Sequence, residues 1–251
     1  MLVLLLILGL ILFFNAGSLP GLGHWLGRQS RKPYRQARWM WCWAAGTEEE
    51  SLQAERDYGR ECAREFAKQF PGSASRKSQE LVAAVGSKLG DAVRDPRREF
   101  RFAAVPSTIF NAFALPGGFV FITEPLIDLC AHDRNEIAFF LGHEIGHILR
   151  GHAKDKLTAS TFLNAVMARL SGAGQLLRQV VNKGYSRALE LEADREAVRL
   201  ASAAGFDPGA SVRALQRLAK VSSENTGLAE YFSSHPALSE RIRELEQRTG
   251  G

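Results

Sequence analysis

The chain has 251 residues, a formal net charge of +5 and three cysteines. Residues 1–47 contain five basic residues and no acidic ones, so the rest of the chain is formally neutral. This distribution argues against a nucleic-acid-binding surface spread over the protein. The cysteines are odd in number and lack metal-type spacing, which excludes a complete disulfide framework and suggests structural roles.

The N-terminus supplies the first predicted element. Residues 2–14 are continuously apolar, and no charged side chain occurs before Arg28. About 20 apolar residues are needed to cross a bilayer, so we predict a hydrophobic anchor helix within residues 1–27. A cleaved signal segment is the alternative, with Ala16-Gly17-Ser18 as a candidate cleavage site.

Residues 28–46 are predicted to form a basic, tryptophan-rich linker next to the membrane. Their lysine and arginine side chains suit anionic lipid headgroups, and their tryptophans favour the membrane interface. A packed aromatic patch on the folded domain is the alternative for the tryptophans. The positive-inside rule would place this linker, and the domain after it, in the cytoplasm.

Residues 47–251 are predicted to form a single domain. Thr47 and Glu50 have the spacing of a capping box and predict the start of a helix. Residues 78–93 form a second amphipathic helix, and alternating apolar side chains in residues 100–104 indicate a strand. Two further short apolar runs flank a Pro-Gly-Gly turn, which predicts a β-hairpin.

The most informative motif in the sequence is His143-Glu144-Ile145-Gly146-His147. Residues four apart lie on one face of a helix, so His143 and His147 can offer nitrogens to the same zinc ion. Glu144 would lie beside the open position of that ion, where it could take a proton from water. The alternative is a surface helix with two unrelated histidines.

The surrounding sequence favours a buried, rigid helix for this motif. Asp133 has the character of an N-cap, with Glu136 as its capping-box partner. A strongly apolar run follows, and Gly151 marks the end of the helix. Rigid helices suit metal sites, because the ligands must be held in a fixed geometry.

A catalytic zinc usually has three protein ligands, so one more is needed. His152 is one residue out of register for a known extension of the motif, and we predict that it is solvated. A downstream helix beginning near Tyr185 offers Glu190 as a ligand, while Glu192 points elsewhere. Asp194, one turn after Glu190, could accept the N–H of a ligating histidine. An ordinary charged helix face paired with arginines is the alternative.

These motifs resemble the gluzincin zinc metallopeptidase family of HtpX, BepA and the CAAX prenyl endopeptidases, over about residues 48–248. The resemblance implies a mostly helical, α+β zincin-type domain with a small β-sheet. It implies one Zn2+ per chain, held by His143, His147 and Glu190, with Glu144 as the general base. The match is carried by residues 111–118, 143–147 and 186–194, and more weakly by Ser234-His235-Pro236 with Arg241.

The resemblance also assigns residues around the metal. It places His235 near the zinc, either as a catalytic group that stabilises the oxyanion or as a fourth ligand in a resting state. An exposed loop histidine is the alternative. Asp194 and Arg241 would support the ligands. An extended polypeptide would bind along the edge of the hairpin, through Asn111, Ala112, Phe113, Gly117 and Gly118.

We therefore predict a zinc-dependent metalloendopeptidase that hydrolyses peptide bonds of misfolded or membrane-associated proteins. The resemblance favours a membrane-anchored protein of the bacterial cell envelope, with its domain on the exported, periplasmic side. The alternatives are a catalytically silent, chaperone-like zinc protein and a peptidase that processes prenylated proteins. The partners expected are a polypeptide substrate and the membrane but no nucleic acid, and the oligomeric state is left open.

Overall fold

The computed structural model describes Cys42, residues 46–153, Asp155, residues 184–221 and residues 228–250. The chain divides into two units, residues 1–54 and residues 55–251. The described part is mostly helical with one three-stranded sheet, which confirms the α+β prediction. Its elements are α1 (Glu48–Ala67), α2 (Arg76–Ala92), β1 (Arg101–Val105), β2 (Ala112–Leu115), β3 (Phe119–Thr123), α3 (Glu124–Leu129), α4 (Arg134–Leu149), α5 (Arg187–Ala203), α6 (Ala210–Val221), α7 (Ala229–Ser234) and α8 (Leu238–Thr249).

The predicted anchor in residues 1–27 lies outside the described residues, as does most of the linker in residues 28–46. Among the helices that the structure does describe, none is both long enough and apolar enough to cross a bilayer. Anchoring in a membrane therefore stays a prediction from the sequence.

Two helix starts depend on side chains that the sequence pattern singles out. At α1, the Thr47 N–H donates to Glu50 Oε2 at 2.9 Å and the Glu50 N–H donates to Thr47 Oγ1 at 3.3 Å, as in a capping box. At α4, the Asp133 carboxylate accepts from the Glu136 N–H. The Glu136 carboxylate turns instead to Arg217 of α6, with two bonds of 3.0 Å, a pairing that the capping-box prediction missed.

The sheet has β3 at its centre, parallel to β1 and antiparallel to β2. Leu115 pairs with Phe119, so the chain reverses through the three residues between them, which confirms the predicted hairpin. Gly117 and Gly118 have φ values of 76° and 87°, a backbone region that favours glycine. Strand β2 is thus an edge of the described sheet, and it lies against α4.

Helix α4 runs through the core and packs closely against α5. Every residue from Glu136 to Ile148 is buried. A Cβ atom on Gly142 would lie 3.2 Å from the Cα of Ala197, and one on Gly146 would lie 3.0 Å from the carbonyl oxygen of Ala193. Larger side chains at these two positions would push the helices apart. Because both positions are glycine, α4 and α5 can pack closely. The helix faces that carry the predicted ligands therefore meet.

Candidate metal centre

Four buried side chains from three parts of the fold converge on one point. His143 and His147 lie on α4, Glu190 lies in the first turn of α5, and His235 lies between α7 and α8. One potential ligand atom from each residue lies within 4.8 Å of the others. None of the four side chains is more than 3% exposed. Residues distant in the sequence thus form a single group that could hold one metal ion.

The spacing of the donor atoms fits a tetrahedral zinc ion. Zinc binds imidazole nitrogen and carboxylate oxygen at about 2.0–2.2 Å, so neighbouring donors lie about 3.3 Å apart. His143 Nε2 lies 3.0 Å from His147 Nε2 and 3.5 Å from Glu190 Oε2. His147 Nε2 lies 3.3 Å from Glu190 Oε1. Two imidazoles and a carboxylate are also a donor set of catalytic zinc sites, so the residues present fit this metal.

His235 and Glu144 lie beside these three donors. His235 Nδ1 is 3.4 Å from His143 Nε2 and 3.2 Å from Glu190 Oε1. The other ring nitrogen, Nε2, is 3.6 Å from Glu144 Oε1. Both side chains are buried, which excludes an exposed loop position for His235. The cluster therefore has an additional carboxylate, that of Glu144, at its edge. Glu144 is not among the candidate ligands.

Asp194 and Arg241 support the cluster through contacts with His143 and Glu190. His143 Nδ1 lies 2.8 Å from Asp194 Oδ1, so a metal bound at Nε2 would leave Nδ1–H to donate to this carboxylate. Arg241, which is fully buried, donates to both oxygens of Asp194 at 2.7 Å. The Arg241 Nη1 atom lies 2.9 Å from Glu190 Oε2. One guanidinium group thus fixes two carboxylates of α5.

The protonation states of the site follow from burial and from these charges. Burial lowers the pKa of His147 well below its usual value. Burial opposes ionisation of Glu190, but the charges of His235 and Arg241 outweigh it and hold its pKa well below the usual range. Arg241 likewise overcomes burial at Asp194 and lowers its pKa. A neutral imidazole and ionised carboxylates are the forms that bind a metal cation.

His143 behaves differently from His147. Burial and the charge of Arg241 oppose its protonation, but the carboxylates of Glu190 and Asp194 outweigh them and raise its pKa. A proton on this imidazole competes with the metal for the same nitrogen. A metal ion held at His143 would therefore bind more tightly as the pH rises.

His152 lies in a position that the sequence did not predict, where it contacts His147 and Glu192. His152 is buried, at 6% exposure, and not solvated as predicted. The helix ends at Leu149 and Gly151 turns the chain with a φ of 78°, which places His152 Nδ1 3.0 Å from His147 Nδ1. His152 Nε2 lies 3.5 Å from Glu192 Oε2. The prediction of a solvated His152 assumed that the helix continues past Gly151. Because the chain turns there, the helical register does not describe the direction of the His152 side chain.

Tyr185 is another neighbour of the site that the sequence did not single out for a role. Its ring stacks on that of His147, with centroids 3.8 Å apart and planes inclined by 14°. Its backbone N–H donates to the Ser234 carbonyl at 3.2 Å, beside His235. Burial raises the pKa of Tyr185 well above its usual value, so the phenol remains neutral. The sequence predicted a helix beginning near Tyr185, whereas α5 begins at Arg187, and only packing reveals the contact of Tyr185 with His147.

The predicted substrate-binding segment starts next to the metal cluster. Asn111 Nδ2 donates to Ser234 Oγ at 3.4 Å, one residue before His235. The Asn111 carbonyl accepts from the Thr123 N–H at 2.9 Å, which begins the pairing of β2 with β3. The Ala112 N–H donates to the Asn111 side chain at 2.9 Å. These bonds fix the beginning of the edge strand close to His235.

The other predicted substrate-binding residues contact the protein itself. The Phe113 ring packs on Phe66 of α1, with centroids 5.1 Å apart. A Cβ atom on Gly117 would lie 2.8 Å from the Cα of Arg56, and one on Gly118 would lie 1.8 Å from the Glu99 carbonyl oxygen. The two glycines therefore allow a close approach of the protein's own backbone at the turn.

Comparison with known families shows which proteins this chain is similar to. The model of peptidase family M48 matches residues 76–249, a range that contains the metal cluster and all three strands. The chain belongs to this family. This membership confirms the resemblance drawn from the motifs, and the buried cluster is a group that could hold the zinc ion expected for a metallopeptidase.

Several curated proteins are similar to this chain. The mitochondrial metalloendopeptidase OMA1 of Schizosaccharomyces pombe is 32% identical over 55% of this chain and 43% of its own length. The metalloprotease LoiP of Escherichia coli is 29% identical over 55% of this chain and 58% of its own length. A second E. coli protein, the metalloprotease YcaL, is 27% identical over 70% of this chain and 72% of its own length.

These alignments bear on the alternatives raised by the sequence. The chain spans about half the length of the first two of these relatives. The names of all three describe proteases. The comparisons therefore favour neither a catalytically silent zinc protein nor a peptidase specialised for prenylated proteins.

Proposed function

We propose that this chain is a zinc-dependent metalloendopeptidase that uses Glu144 as its general base. The observation that carries this proposal is the convergence of His143, His147 and Glu190 at tetrahedral spacing beside a buried carboxylate. A purely structural zinc site is closed by four protein ligands and has no use for an additional carboxylate at its edge. Membership in a peptidase family supports the same reaction class.

The roles of the side chains follow from their positions. When bound, zinc lowers the pKa of a water molecule and polarises the peptide carbonyl. Glu144 accepts the proton of the attacking water on a carboxylate oxygen and later transfers it to the departing amine nitrogen. His235 Nε2, on the Glu144 side of the ring, stabilises the negative charge that develops on the carbonyl oxygen. In the resting enzyme, Nδ1 of the same ring lies close enough to the donors to serve as a fourth ligand.

Metal removal tests the proposed function. Chelation of zinc from the full chain is expected to abolish cleavage of casein, and stoichiometric zinc to restore it, because the attacking water depends on the metal. We expect His143→Ala to lose the metal, which elemental analysis measures, since one of the three proposed ligands His143, His147 and Glu190 is gone. His132→Asn, which removes a histidine outside the cluster, should retain full zinc. A stoichiometric zinc content in His143→Ala would rule out this ligand set.

Strand β2 is proposed to hold the substrate by main-chain hydrogen bonds. Asn111 bonds to Thr123 of β3, and residues alternate in an antiparallel ladder, so Ala114 turns its N–H and carbonyl groups, and Ala112 its carbonyl, to the outer edge. The Ala112 N–H bonds instead to the Asn111 side chain. The hydrogen bond between Asn111 and Ser234 supports this proposal, because Ser234 is the chain neighbour of His235 and the strand edge therefore begins next to that residue. Only an extended segment can join a strand edge, which favours unfolded polypeptides as substrates.

A proline at Ala114 tests this mode of binding. Proline removes one backbone donor and is tolerated at sheet edges. We expect Ala114→Pro to lower kcat/KM for an unfolded substrate about fivefold to tenfold, the effect of one lost hydrogen bond, while zinc content stays unchanged. Ala114→Val keeps the N–H group and serves as the matched control. If proline and valine have equal effects on kcat/KM, the edge of β2 does not bind substrate through this group.

A further inference from the structure

His152 is a buried, polar side chain that the proposed reaction does not use. Its Nδ1 atom lies 3.0 Å from His147 Nδ1, and its Nε2 atom lies 3.5 Å from Glu192 Oε2. Glu192 is partly exposed and also lies 3.1 Å from Arg150 Nη1. A chain of polar contacts therefore runs from the metal-facing ring of His147 to a surface ion pair.

The direction of each hydrogen bond in this series of contacts follows from the use of His147 Nε2 as a metal ligand. His147 faces the other donors with Nε2, so its proton lies on Nδ1 and that N–H must donate. His152 Nδ1 must then accept, which leaves the second proton of a neutral His152 ring on Nε2. That N–H points to the carboxylate of Glu192, an acceptor. Each contact therefore has one donor and one acceptor.

We propose that His152, held by Glu192, positions His147 for zinc and fixes its tautomer. The proposal rests on the proposed function in one respect, that His147 is a zinc ligand. The two histidines of α4 would then be supported differently. His143 donates directly to the carboxylate of Asp194, whereas His147 reaches its carboxylate through a second imidazole. Partners of this kind typically change metal affinity by 10- to 100-fold when they are removed.

The substitutions separate hydrogen bonding from packing. His152→Phe keeps a planar ring but removes the acceptor, and we expect it to raise the Kd for zinc about 10- to 100-fold. His152→Asn puts an oxygen where Nδ1 lies, so it should bind zinc within about tenfold of the native chain. Glu192→Leu should weaken zinc binding less than His152→Phe. The double variant His152→Phe/Glu192→Leu should match His152→Phe alone, because Glu192 acts through His152.

Zinc affinity is measured on the full chain by competition with a chelator of known Kd, with circular dichroism as the check on folding. His132→Asn, a histidine substitution outside the cluster, is the control and should leave the Kd unchanged. A second readout is the visible spectrum of Co2+ bound in place of zinc, which reports ligand geometry. We expect it to change in His152→Phe and to return towards the native spectrum in His152→Asn.

The outcomes distinguish the two proposals. A native chain that binds no zinc would overturn the proposed function and this inference together. A native chain that binds one zinc, alongside a folded His152→Phe variant of unchanged Kd, would overturn only the role of His152. Equal weakening in the phenylalanine and asparagine variants, or additive losses in the double variant, would also overturn it, since packing then explains the effect.

Discussion

Replacement of Glu144 by glutamine is expected to lower kcat for peptide hydrolysis by at least about a hundredfold, because general acid–base help is typically worth 10²–10⁴ in rate. The amide has the same shape as the carboxylate but cannot accept the proton of the attacking water. Zinc should remain bound at one per chain, since Glu144 is not among the four residues of the candidate donor set. Cleavage of casein by zinc-loaded native and variant chains measures the effect.

The matched control for this variant is Glu136→Gln. Glu136 lies on the same helix and is equally buried, but it pairs with Arg217 and not with the metal cluster. We expect Glu136→Gln to reduce stability while the folded protein retains its kcat. Native rates in a zinc-loaded Glu144→Gln chain would contradict the role of Glu144 as the base.

Replacement of Arg241 by methionine is expected to lower the free energy of unfolding of the zinc-free protein by about 3–5 kcal/mol. Arg241 is fully buried and bonds to both oxygens of Asp194, with Glu190 Oε2 also 2.9 Å away. Methionine fills similar space but leaves two buried carboxylates without their cation. Denaturant unfolding of the metal-free chain measures the difference.

Arg195→Met provides the comparison, because Arg195 lies on α5 and pairs with Glu244 at 2.7 Å in a largely exposed position. An exposed pair of this kind contributes about 0–1 kcal/mol. If the two methionine variants lose similar stability, the buried network around Arg241 is not a major source of stability.

The effect of Arg241→Met should also depend on pH. The pKa of Asp194 is lowered in the folded protein, since Arg241 overcomes the opposing effect of burial. A carboxyl group with a lowered folded pKa stabilises the fold above its unfolded pKa, and this contribution is lost as the pH falls through the folded value. We therefore expect the difference in stability between the native chain and the variant to be largest near neutral pH and to shrink in acid.

Local sequence patterns predicted much of this fold. The spacing of Thr47 and Glu50 predicted the start of α1, and the Pro-Gly-Gly turn predicted the β2–β3 hairpin. The spacing of His143 and His147 places both rings on one face of α4 for any right-handed helix. Such predictions succeed because the relevant interactions join residues only a few positions apart in the chain.

Contacts between distant residues were only partly predictable. A resemblance to known motifs, and not any spacing rule, brought His235 and Arg241 into the predicted site. The structure then placed His235 Nδ1 3.2 Å from Glu190 Oε1 and Arg241 Nε 2.7 Å from Asp194 Oδ2. No local pattern contains these distances, because they depend on how α8 and the segment before it pack against α5.

By itself, the sequence determined the α+β class, the helix that carries the zinc motif and the kind of metal it suits. Only the tertiary structure decided the surroundings of His147, where Tyr185 stacks on the ring and His152 contacts its Nδ1. The turn at Gly151 redirected His152 inwards, and the packing of α4 against α5 brought Glu192 within reach. Periodicity describes one helix at a time, whereas these contacts depend on a turn and on the close approach of two helices.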